Sequence, residues 1–196
     1  MSDAIALILL AAGSSSRMGQ SKQLLQYRGK TLLHHAVDAG VASGCAPIVV
    51  VVGHDAGAMR DELKTTAAIV ADNGDWQQGM GTSIRVGVER VEREAPQTAA
   101  VVIAVCDQPL VDAKVLRRLV DVYRTCGYPM AAATYAGTVG VPAVFNRNYF
   151  AALKTLPPQT GAKQVLRAHN DQVAKIEMEE AALDLDTPDD VTRLDG

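Results

Sequence analysis

Short aliphatic runs alternate with longer amphipathic stretches along most of the chain. The runs that predict strands cover residues 4–11, 47–52, 67–71, 99–105 and 130–134, with shorter ones at 143–145 and 173–178. The amphipathic patterns predict helices at about 31–42, 56–64, 82–93, 113–125, 149–155, 162–169 and 188–194. This alternation is typical of repeated βα units, whose strands form one sheet between layers of helices. We therefore predict an α/β fold with a mostly parallel central sheet.

Length and composition agree with that architecture. At 196 residues the chain is near the size at which one hydrophobic core suffices, and it contains no Pro-, Gly- or Ser-rich linker. We expect a single domain over residues 1–196. Hydrophobic residues make up 48% of the chain and aromatic residues only 4%. A core of Ala, Val, Leu and Ile favours buried parallel strands over an all-β sandwich.

Charge and hydropathy argue against two classes of partner. The 19 basic and 22 acidic residues give a net charge of -3, and the basic residues form no cluster, so a nucleic-acid partner is not expected. No apolar run reaches the roughly 20 residues that cross a bilayer, and the first ten residues lack a secretory leader pattern. The three cysteines form no C-x-x-C pair, which suits a reducing compartment. We expect a cytoplasmic protein with no membrane partner.

The segment after the first predicted strand gives the strongest indication of a ligand. It reads LAAGSSSRMGQSK from Leu10 to Lys22. Small residues at Ala11, Ala12 and Gly13 let a ligand approach the backbone, and successive N–H groups of a Gly/Ser loop can form a nest for anions. Arg17 and Lys22 add two cations that can neutralise a triphosphate and its pyrophosphate leaving group. The segment predicts a polyphosphate site, although a solvated surface turn would have the same local composition.

Spacing disfavours two familiar phosphate loops. A Walker A loop requires Lys directly after its second glycine, whereas Gln20 and Ser21 separate Gly19 from Lys22. A dinucleotide-binding loop requires G-x-G-x-x-G, and serines follow Gly13 where further glycines are needed. An oxidoreductase on a nicotinamide-binding fold is therefore disfavoured.

Two carboxylates are candidates for a metal site. Asp107 follows the predicted strand 99–105, which places it at the same sheet edge as the Gly/Ser loop. Mg²⁺ commonly binds one or two carboxylates together with substrate phosphates and water, and Asp186 is the candidate second ligand. The alternatives remain open: Asp107 alone would equally be a turn residue, and Asp186 would equally belong to a helix start at Thr187 and Pro188.

A third segment joins glycines to a predicted helix start. Gly79, Gly81 and Ser83 are placed to contact the edge of a base through N–H groups and a hydroxyl. Helix capping explains Ser83 equally well. The four histidines lack metal-ligand spacing, and no Ser/His/Asp or Cys/His constellation indicates a covalent nucleophile. Such a site would act by positioning and electrostatics.

Four segments together resemble the MobA-like nucleotidyltransferases. They are LAAGxxxRMGxxK from Leu10 to Lys22, Asp107-Gln108-Pro109, Gly140-Val141-Pro142, and Asp184-x-Asp186-Thr-Pro-Asp-Asp190. The resemblance implies a three-layer, Rossmann-like nucleotidyltransferase fold. It also implies transfer of a nucleoside monophosphate to a phosphorylated acceptor, with release of pyrophosphate. Within the family, the double alanine before Gly13 is most similar to the cytidylyl branch, which acts on the molybdenum cofactor.

The resemblance also implies roles for individual residues. Leu10, Ala11, Ala12 and Gly13 contact the nucleotide, together with Gly79, Gly81 and Ser83 beside the base. Arg17 and Lys22 stabilise phosphates in the transition state, and Asp107 binds Mg²⁺. CTP is the favoured nucleotide and molybdopterin the candidate acceptor. A molybdoenzyme or its chaperone is a candidate protein partner.

Departures from the family pattern concern the acceptor side. The family's acidic Gly-Asp-x-Gly-Ala element appears at residues 158–163 without its carboxylate, Cys106 stands where Gly is common, and Val141 replaces a more polar residue before Pro142. These differences leave two alternatives open. One is a nucleotidyltransferase acting on a sugar phosphate or another small-molecule phosphate. The other is a non-catalytic nucleotide- or cofactor-binding chaperone.

Overall fold

The computed structural model describes residues 4–14 and 21–185, and alternating strands and helices fill most of this part of the chain. Its strands are β1 (Ile5–Leu10), β2 (Gln26–Tyr27), β3 (Lys30–Thr31), β4 (Ile48–Val52), β5 (Ile69–Asp72), β6 (Ala100–Val105), β7 (Met130–Tyr135), β8 (Thr138–Asn146) and β9 (Val173–Glu177). Its α-helices are α1 (Leu32–Ser43), α2 (Ala56–Leu63), α3 (Met80–Glu94), α4 (Ala113–Thr125), α5 (Phe150–Lys154) and α6 (Lys163–Ala168). The predicted helix at 188–194 lies outside the described residues.

Seven of these strands form one twisted sheet in the order β5-β4-β1-β6-β8-β7-β9. Strands β5, β4, β1 and β6 are parallel neighbours, and β7 pairs in parallel with β9. Strand β8 runs antiparallel to both β6 and β7. The prediction of an α/β fold with a mostly parallel sheet is therefore confirmed, with one reversed strand inside it.

Helices cover both faces of the sheet, which gives the three layers. Along β1, Leu7 and Leu9 point into the core beneath α1 and α4, whereas Ala6 and Ile8 point into the core beneath α3 and α5. All four side chains are at most 2% exposed. Because both faces are covered, the central strands consist of continuous aliphatic residues instead of an alternating pattern.

Capping side chains in the local sequence set where two of the helices begin. The Thr31 hydroxyl accepts a hydrogen bond from the His34 N–H at 3.0 Å and begins α1. The Asp112 carboxylate accepts the N–H groups of Lys114 and Val115 and begins α4. Such caps satisfy backbone donors that the first helical turn leaves free. In the described ranges, no helix is both long and apolar enough to cross a membrane.

The parallel strands all end at one edge of the sheet, and the longest connections lie there. The chain between β1 and α1 contains the hairpin β2–β3, and a 3₁₀ turn at Trp76–Gln78 lies between β5 and α3. Ligands of open α/β sheets bind outside the carboxyl ends of the strands. This edge is therefore where the candidate residues should be compared.

Candidate active site

A cleft of about 410 Å³ opens at the carboxyl ends of β1 and β6, on the side of the sheet covered by α3. Seven of the residues predicted from sequence line it: Leu10, Ala12, Gly13, Lys22, Gly79, Ser83 and Asp107. The structure thus brings three separate segments to one place. Arg17 and Asp186 lie outside the described residues. The other two predicted residues, Ala11 and Gly81, are buried in the packing around the cleft and do not line it.

Lys22 and Asp107 form an ion pair inside the cleft. The Lys22 Nζ lies 2.5 Å from the Asp107 Oδ2, and the two side chains are 20% and 19% exposed. Lys22 begins a short 3₁₀ turn, whereas Asp107 lies two residues after the last residue of β6. The pair therefore joins the end of the Gly/Ser loop to the centre of the sheet. A charge-assisted bond of this kind is shorter and stronger than one between neutral groups.

The second oxygen of Asp107 is suited to a further ligand. The Asp107 Oδ1 is buried and has no hydrogen-bond partner in the part of the chain that the structure describes. A buried carboxylate oxygen without a partner is energetically costly, so it indicates a missing contact. The described residues contain no group of three or more His, Cys, Asp or Glu that would hold a metal alone. The site fits a cation that takes few protein oxygens and completes its shell with phosphates and water, as Mg²⁺ does.

The C-terminal part of the chain is attached to the same strand end. The Leu185 N–H donates to the Asp107 carbonyl oxygen at 2.9 Å, and the Gln108 Nε2 donates to the Ala181 carbonyl oxygen at 2.8 Å. Leu185 is fully buried against Leu25 and its neighbours. These contacts bring the residue that precedes Asp186 to the backbone of Asp107.

The glycines at the cleft are of two kinds. A Cβ atom built on Gly13 would meet no described atom within 4 Å, so space is left beside this residue. A Cβ on Gly79 or Gly81 would lie only 2.3 or 2.4 Å from the carbonyl oxygens of Pro158 and Pro157, respectively. The Gly81 N–H also donates to the Pro158 carbonyl oxygen at 2.9 Å. Gly79 and Gly81 therefore permit the start of α3 to pack closely against the loop at Pro157 and Pro158, whereas Gly13 leaves room for a ligand.

Ser83 is fixed by a buried amide that the sequence did not single out. The Asn73 Nδ2 donates to Ser83 Oγ at 2.9 Å and to Thr82 Oγ1 at 2.8 Å, and all three residues are buried. Thr82, not Ser83, donates to the Gly79 carbonyl oxygen at the start of α3. The Ser83 hydroxyl lines the cleft as an acceptor for Asn73, so its own proton is available to a ligand.

Trp76 and Gln23 also line the cleft, although neither was among the site residues predicted from the sequence. Trp76 lines the cleft and packs edge-on against His54, with ring centroids 5.2 Å apart. Gly53 permits this packing, because a Cβ there would lie 2.6 Å from the Trp76 Cβ. Gln23 also lines the cleft, is 4% exposed, and has a side-chain oxygen without a described partner. For Trp76 the one signal in the sequence was that it is the single tryptophan of the chain and lies in a predicted loop.

The Gly140-Val141-Pro142 segment, which was expected on the acceptor side, lies in β8 and packs against β7. The Tyr135 hydroxyl donates to the Val141 carbonyl oxygen at 3.1 Å, and Gly140 makes room for it. Burial raises the pKa of Tyr135 and outweighs a hydrogen bond with Gln108, which lowers it; the nearby Asp184 and Asp107 raise it further. The hydroxyl therefore stays protonated. Lys163 contacts the Thr138 hydroxyl at the same hairpin.

Cys106 offers no nucleophile in this cleft. Its side chain is 4% exposed, and burial together with the adjacent Asp107 raises the pKa of the thiol far above its usual range. A protonated, buried thiol does not attack substrates. The geometry agrees with chemistry carried out by positioning and charge.

Comparison with known proteins identifies related sequences. A family model described as the MobA-like NTP transferase domain matches residues 7–173. The molybdenum cofactor cytidylyltransferase of Escherichia coli (strain K12) is 28% identical over 188 residues, which cover 95% of this chain and 93% of that protein. The nicotine blue oxidoreductase of Paenarthrobacter nicotinovorans is 33% identical over 118 residues, which cover 60% of this chain. That match spans only 56% of the oxidoreductase.

A solved structure shares both the fold and the sequence pattern. Rv0371c from Mycobacterium tuberculosis H37Rv has a TM-score of 0.81 and 31% identity, and the alignment covers 98% of each chain. A second structure of Rv0371c is a complex with manganese, with a TM-score of 0.76, 30% identity and 97% of each chain covered. A divalent cation therefore occurs in a crystal structure of a relative that aligns over nearly the whole of this chain.

Proposed function

Because the chain belongs to the MobA-like NTP transferase domain family, we propose that it transfers CMP from CTP to a phosphorylated acceptor, for which molybdopterin is the candidate. The observation that carries this proposal is the Lys22–Asp107 pair, which lies beside the open space at Gly13 and has one carboxylate oxygen without a partner among the described residues. A cation, an anion-binding loop and a metal-type oxygen in one cleft are the parts that nucleotidyl transfer requires.

Lys22 is proposed to act on the phosphates. Its ammonium group is paired with Asp107. A triphosphate carries more negative charge than one carboxylate, so it competes for Lys22 when it enters the cleft. Lys22 then stabilises charge on the departing pyrophosphate, and Arg17 is proposed to do the same from the adjoining loop. The reaction is an attack by an acceptor phosphate oxygen on the α-phosphorus, in line with the breaking bond to the β-phosphate.

Asp107 is proposed to hold Mg²⁺, with Asp186 as a second oxygen ligand. When bound, Mg²⁺ supplies Lewis-acid neutralisation of charge on the phosphate oxygens. The Leu185 N–H bond to Asp107 supports the role of Asp186, because it brings the preceding residue to this strand end. The manganese complex of Rv0371c supports a divalent cation in general. The choice of Mg²⁺ rests on the oxygen donor and the expected triphosphate.

Ser83 is proposed to select the base. Its hydroxyl accepts from Asn73 and so is oriented to donate into the cleft, where a pyrimidine carbonyl oxygen would accept. Trp76 supplies an aromatic wall on the same side. The proposed acceptor lies towards Tyr135 and Lys163, at the hairpin between β7 and β8. The three cysteines are free thiols, which agrees with a reaction in the cytoplasm.

A second candidate is a reductase that uses a nicotinamide cofactor. The observation that favours it is the match to nicotine blue oxidoreductase at 33% identity over 118 residues. The sequence lacks the glycines of a dinucleotide loop, but a relative that bears an oxidoreductase name aligns with this chain. A planar dye stacked on Trp76 would be the acceptor of hydride in that case.

One assay separates the two candidates. Purified protein is incubated with CTP, GTP, UTP or ATP, with molybdopterin or sugar phosphates, and with Mg²⁺ or a chelator, while pyrophosphate is measured. We expect release that depends on CTP, molybdopterin and Mg²⁺, and that Asp107→Asn lowers by about a hundredfold. A parallel set with NADH or NADPH and a quinonoid dye measures cofactor oxidation. Dye reduction without pyrophosphate release would replace the transferase by the reductase. Nucleotide binding with neither reaction would indicate a cofactor chaperone.

A further inference from the structure

The turn after β4 contacts both ends of the Gly/Ser loop. On the entry side, the His54 N–H donates to the Ala12 carbonyl oxygen at 3.2 Å. On the exit side, the Ser21 hydroxyl donates to the Asp55 Oδ2 at 2.6 Å. Ala12 and Ser21 are thus each bonded to one of two consecutive residues of another strand connection.

The Asp55 carboxylate bonds to Ser21 and not to the N–H groups of the helix that follows it. Asp55 precedes α2 at the N-cap position, but its carboxylate makes no capping hydrogen bond there. Its φ of 54° lies in the left-handed region, which a non-glycine residue adopts only when its surroundings require it. The carboxylate instead accepts the Ser21 proton and lies 3.1 Å from the His54 Nδ1.

Ser21, His54 and Asp55 do not form a nucleophilic triad. The Ser21 side chain is fully buried, and its hydroxyl donates to the carboxylate, while the imidazole nitrogen is 3.4 Å away. A catalytic serine would be exposed and would donate to the histidine. The cluster therefore fixes a position and performs no chemistry itself.

The cluster of Ser21, His54 and Asp55 fixes the position of Lys22. Ser21 precedes Lys22 directly, and its carbonyl oxygen accepts the Leu24 N–H at 2.9 Å, which closes the 3₁₀ turn that Lys22 begins. A buried side-chain bond on one side and the turn on the other leave the backbone of Lys22 little freedom. Its ammonium group then reaches the Asp107 carboxylate across the cleft.

We propose that Asp55, acting through Ser21, is a positioning residue that holds Lys22 for nucleotidyl transfer. This inference rests on the proposed function, since it assigns Lys22 to the phosphates. A misplaced catalytic cation loses much of its effect even when the nucleotide still binds, because stabilisation of the transition state depends on geometry. The Ser21–Asp55 bond therefore affects kcat more than KM.

A double-mutant cycle tests the proposal. Ser21→Ala removes the hydroxyl, and we expect kcat for pyrophosphate release to fall about tenfold while KM for CTP changes less than threefold. In the Lys22→Ala background the same substitution should change kcat less than twofold, because the group it positions is gone. Equal losses in both backgrounds would overturn the proposal, since they would show that Ser21 acts independently of Lys22.

Two further variants distinguish the loss of a positioning contact from a general loss of folding. Asp55→Asn keeps an oxygen that can accept from Ser21 and tolerates the left-handed backbone, so we expect a smaller loss than for Ser21→Ala. Asp61→Asn in the same helix is the matched control, because Asp61 is exposed and pairs only with Lys64 among the described residues. It should retain kcat within twofold. A loss for Asp61→Asn equal to that for Asp55→Asn would overturn the proposal.

The cycle also separates this inference from the proposed function. Absence of pyrophosphate release in the unmodified protein would contradict the function and not the positioning. The same cycle would then be measured as the free energy of unfolding, in which coupling between Ser21 and the Lys22–Asp107 pair needs no nucleotide. Additive effects on that free energy would overturn the positioning role, whereas non-additive effects would retain it.

Discussion

Two glycine-containing segments border the cleft, and the structure separates them by what a side chain would meet. At Gly13 a Cβ would meet no described atom, and the cation that follows the loop is paired across the cleft with Asp107. At Gly79 and Gly81 a Cβ would collide with the backbone of Pro157 and Pro158. Both segments had suggested ligand contact in the sequence. Only the first leaves empty space that a ligand could occupy.

The difference shows that glycine has two separate uses at a binding edge. Around Gly13 the missing side chain leaves room for a partner that is not part of the chain. Around Gly79 and Gly81 it lets the start of α3 approach the loop at Pro157 and Pro158, and the φ of 127° at Gly79 is one that other residues adopt only with strain. Substitutions in the first segment should therefore lower activity, and substitutions in the second should lower the stability of the fold.

The largest expected effect belongs to the first segment. Lys22→Ala or Asp107→Ala should lower kcat for pyrophosphate release by about a hundredfold, because each removes one preorganised charge contact. Steady-state kinetics with CTP measure this. Lys30→Ala is the matched control, since Lys30 forms an exposed pair with Asp38 at the same 2.5 Å distance. Turnover of Asp107→Ala at the level of the unmodified protein would contradict the metal assignment.

An intermediate effect is expected in the second segment. Gly81→Ala should lower the free energy of unfolding by about 2 kcal/mol, because its Cβ would lie 2.4 Å from a backbone oxygen that cannot move alone. The melting temperature should fall by about 5 °C in a thermal shift experiment. Gly57→Ala in α2 is the control, because its added Cβ would meet no described atom within 4 Å apart from the neighbouring backbone of its own helix. An unchanged melting temperature for Gly81→Ala would remove the distinction between the segments.

The smallest effect tests the open space directly. Gly13→Ala should leave the melting temperature nearly unchanged, since no described atom opposes the methyl group. CTP affinity, measured by Trp76 fluorescence, should weaken by about tenfold, which corresponds to a steric cost of roughly 1.4 kcal/mol against a bound nucleotide. Unchanged affinity would mean that the nucleotide does not lie against Gly13. The proposed difference between the two glycine-containing segments would then be wrong.

Much of the fold followed from local pattern. The predicted helix at 113–125 matches α4, and the predicted strands at 99–105 and 130–134 match β6 and β7 to within one residue at each end. Aliphatic runs and an N-cap such as Asp112 are local signals, so they predict element positions well. The long strand β8 (Thr138–Asn146) was predicted only as a short piece near 143–145, because its first half contains a glycine and a proline.

The candidate site was only partly predictable for a different reason. Lys22, Asp107 and Gly13 carry a charge or a spacing that indicates chemistry by itself. The contact of Ser21 with Asp55 spans 34 positions, and that of Gly81 with Pro158 spans a still longer interval. Such contacts depend on how the loops meet in three dimensions, which no local pattern encodes. Sequence alone therefore could not show that Gly81 serves packing while Gly13 leaves space.

The reversed strand β8 has a consequence for how this scaffold diversifies. It separates the four parallel strands that carry the Gly/Ser loop from the pair β7–β9, and Asp107 lies at the end of the strand beside that boundary. Strand β8 thus divides the sheet into two parts that meet at one boundary. Because the acceptor is proposed to lie towards Tyr135 and Lys163 at the β7–β8 hairpin, substitutions there are expected to change the choice of acceptor and to leave the Lys22–Asp107 pair in place.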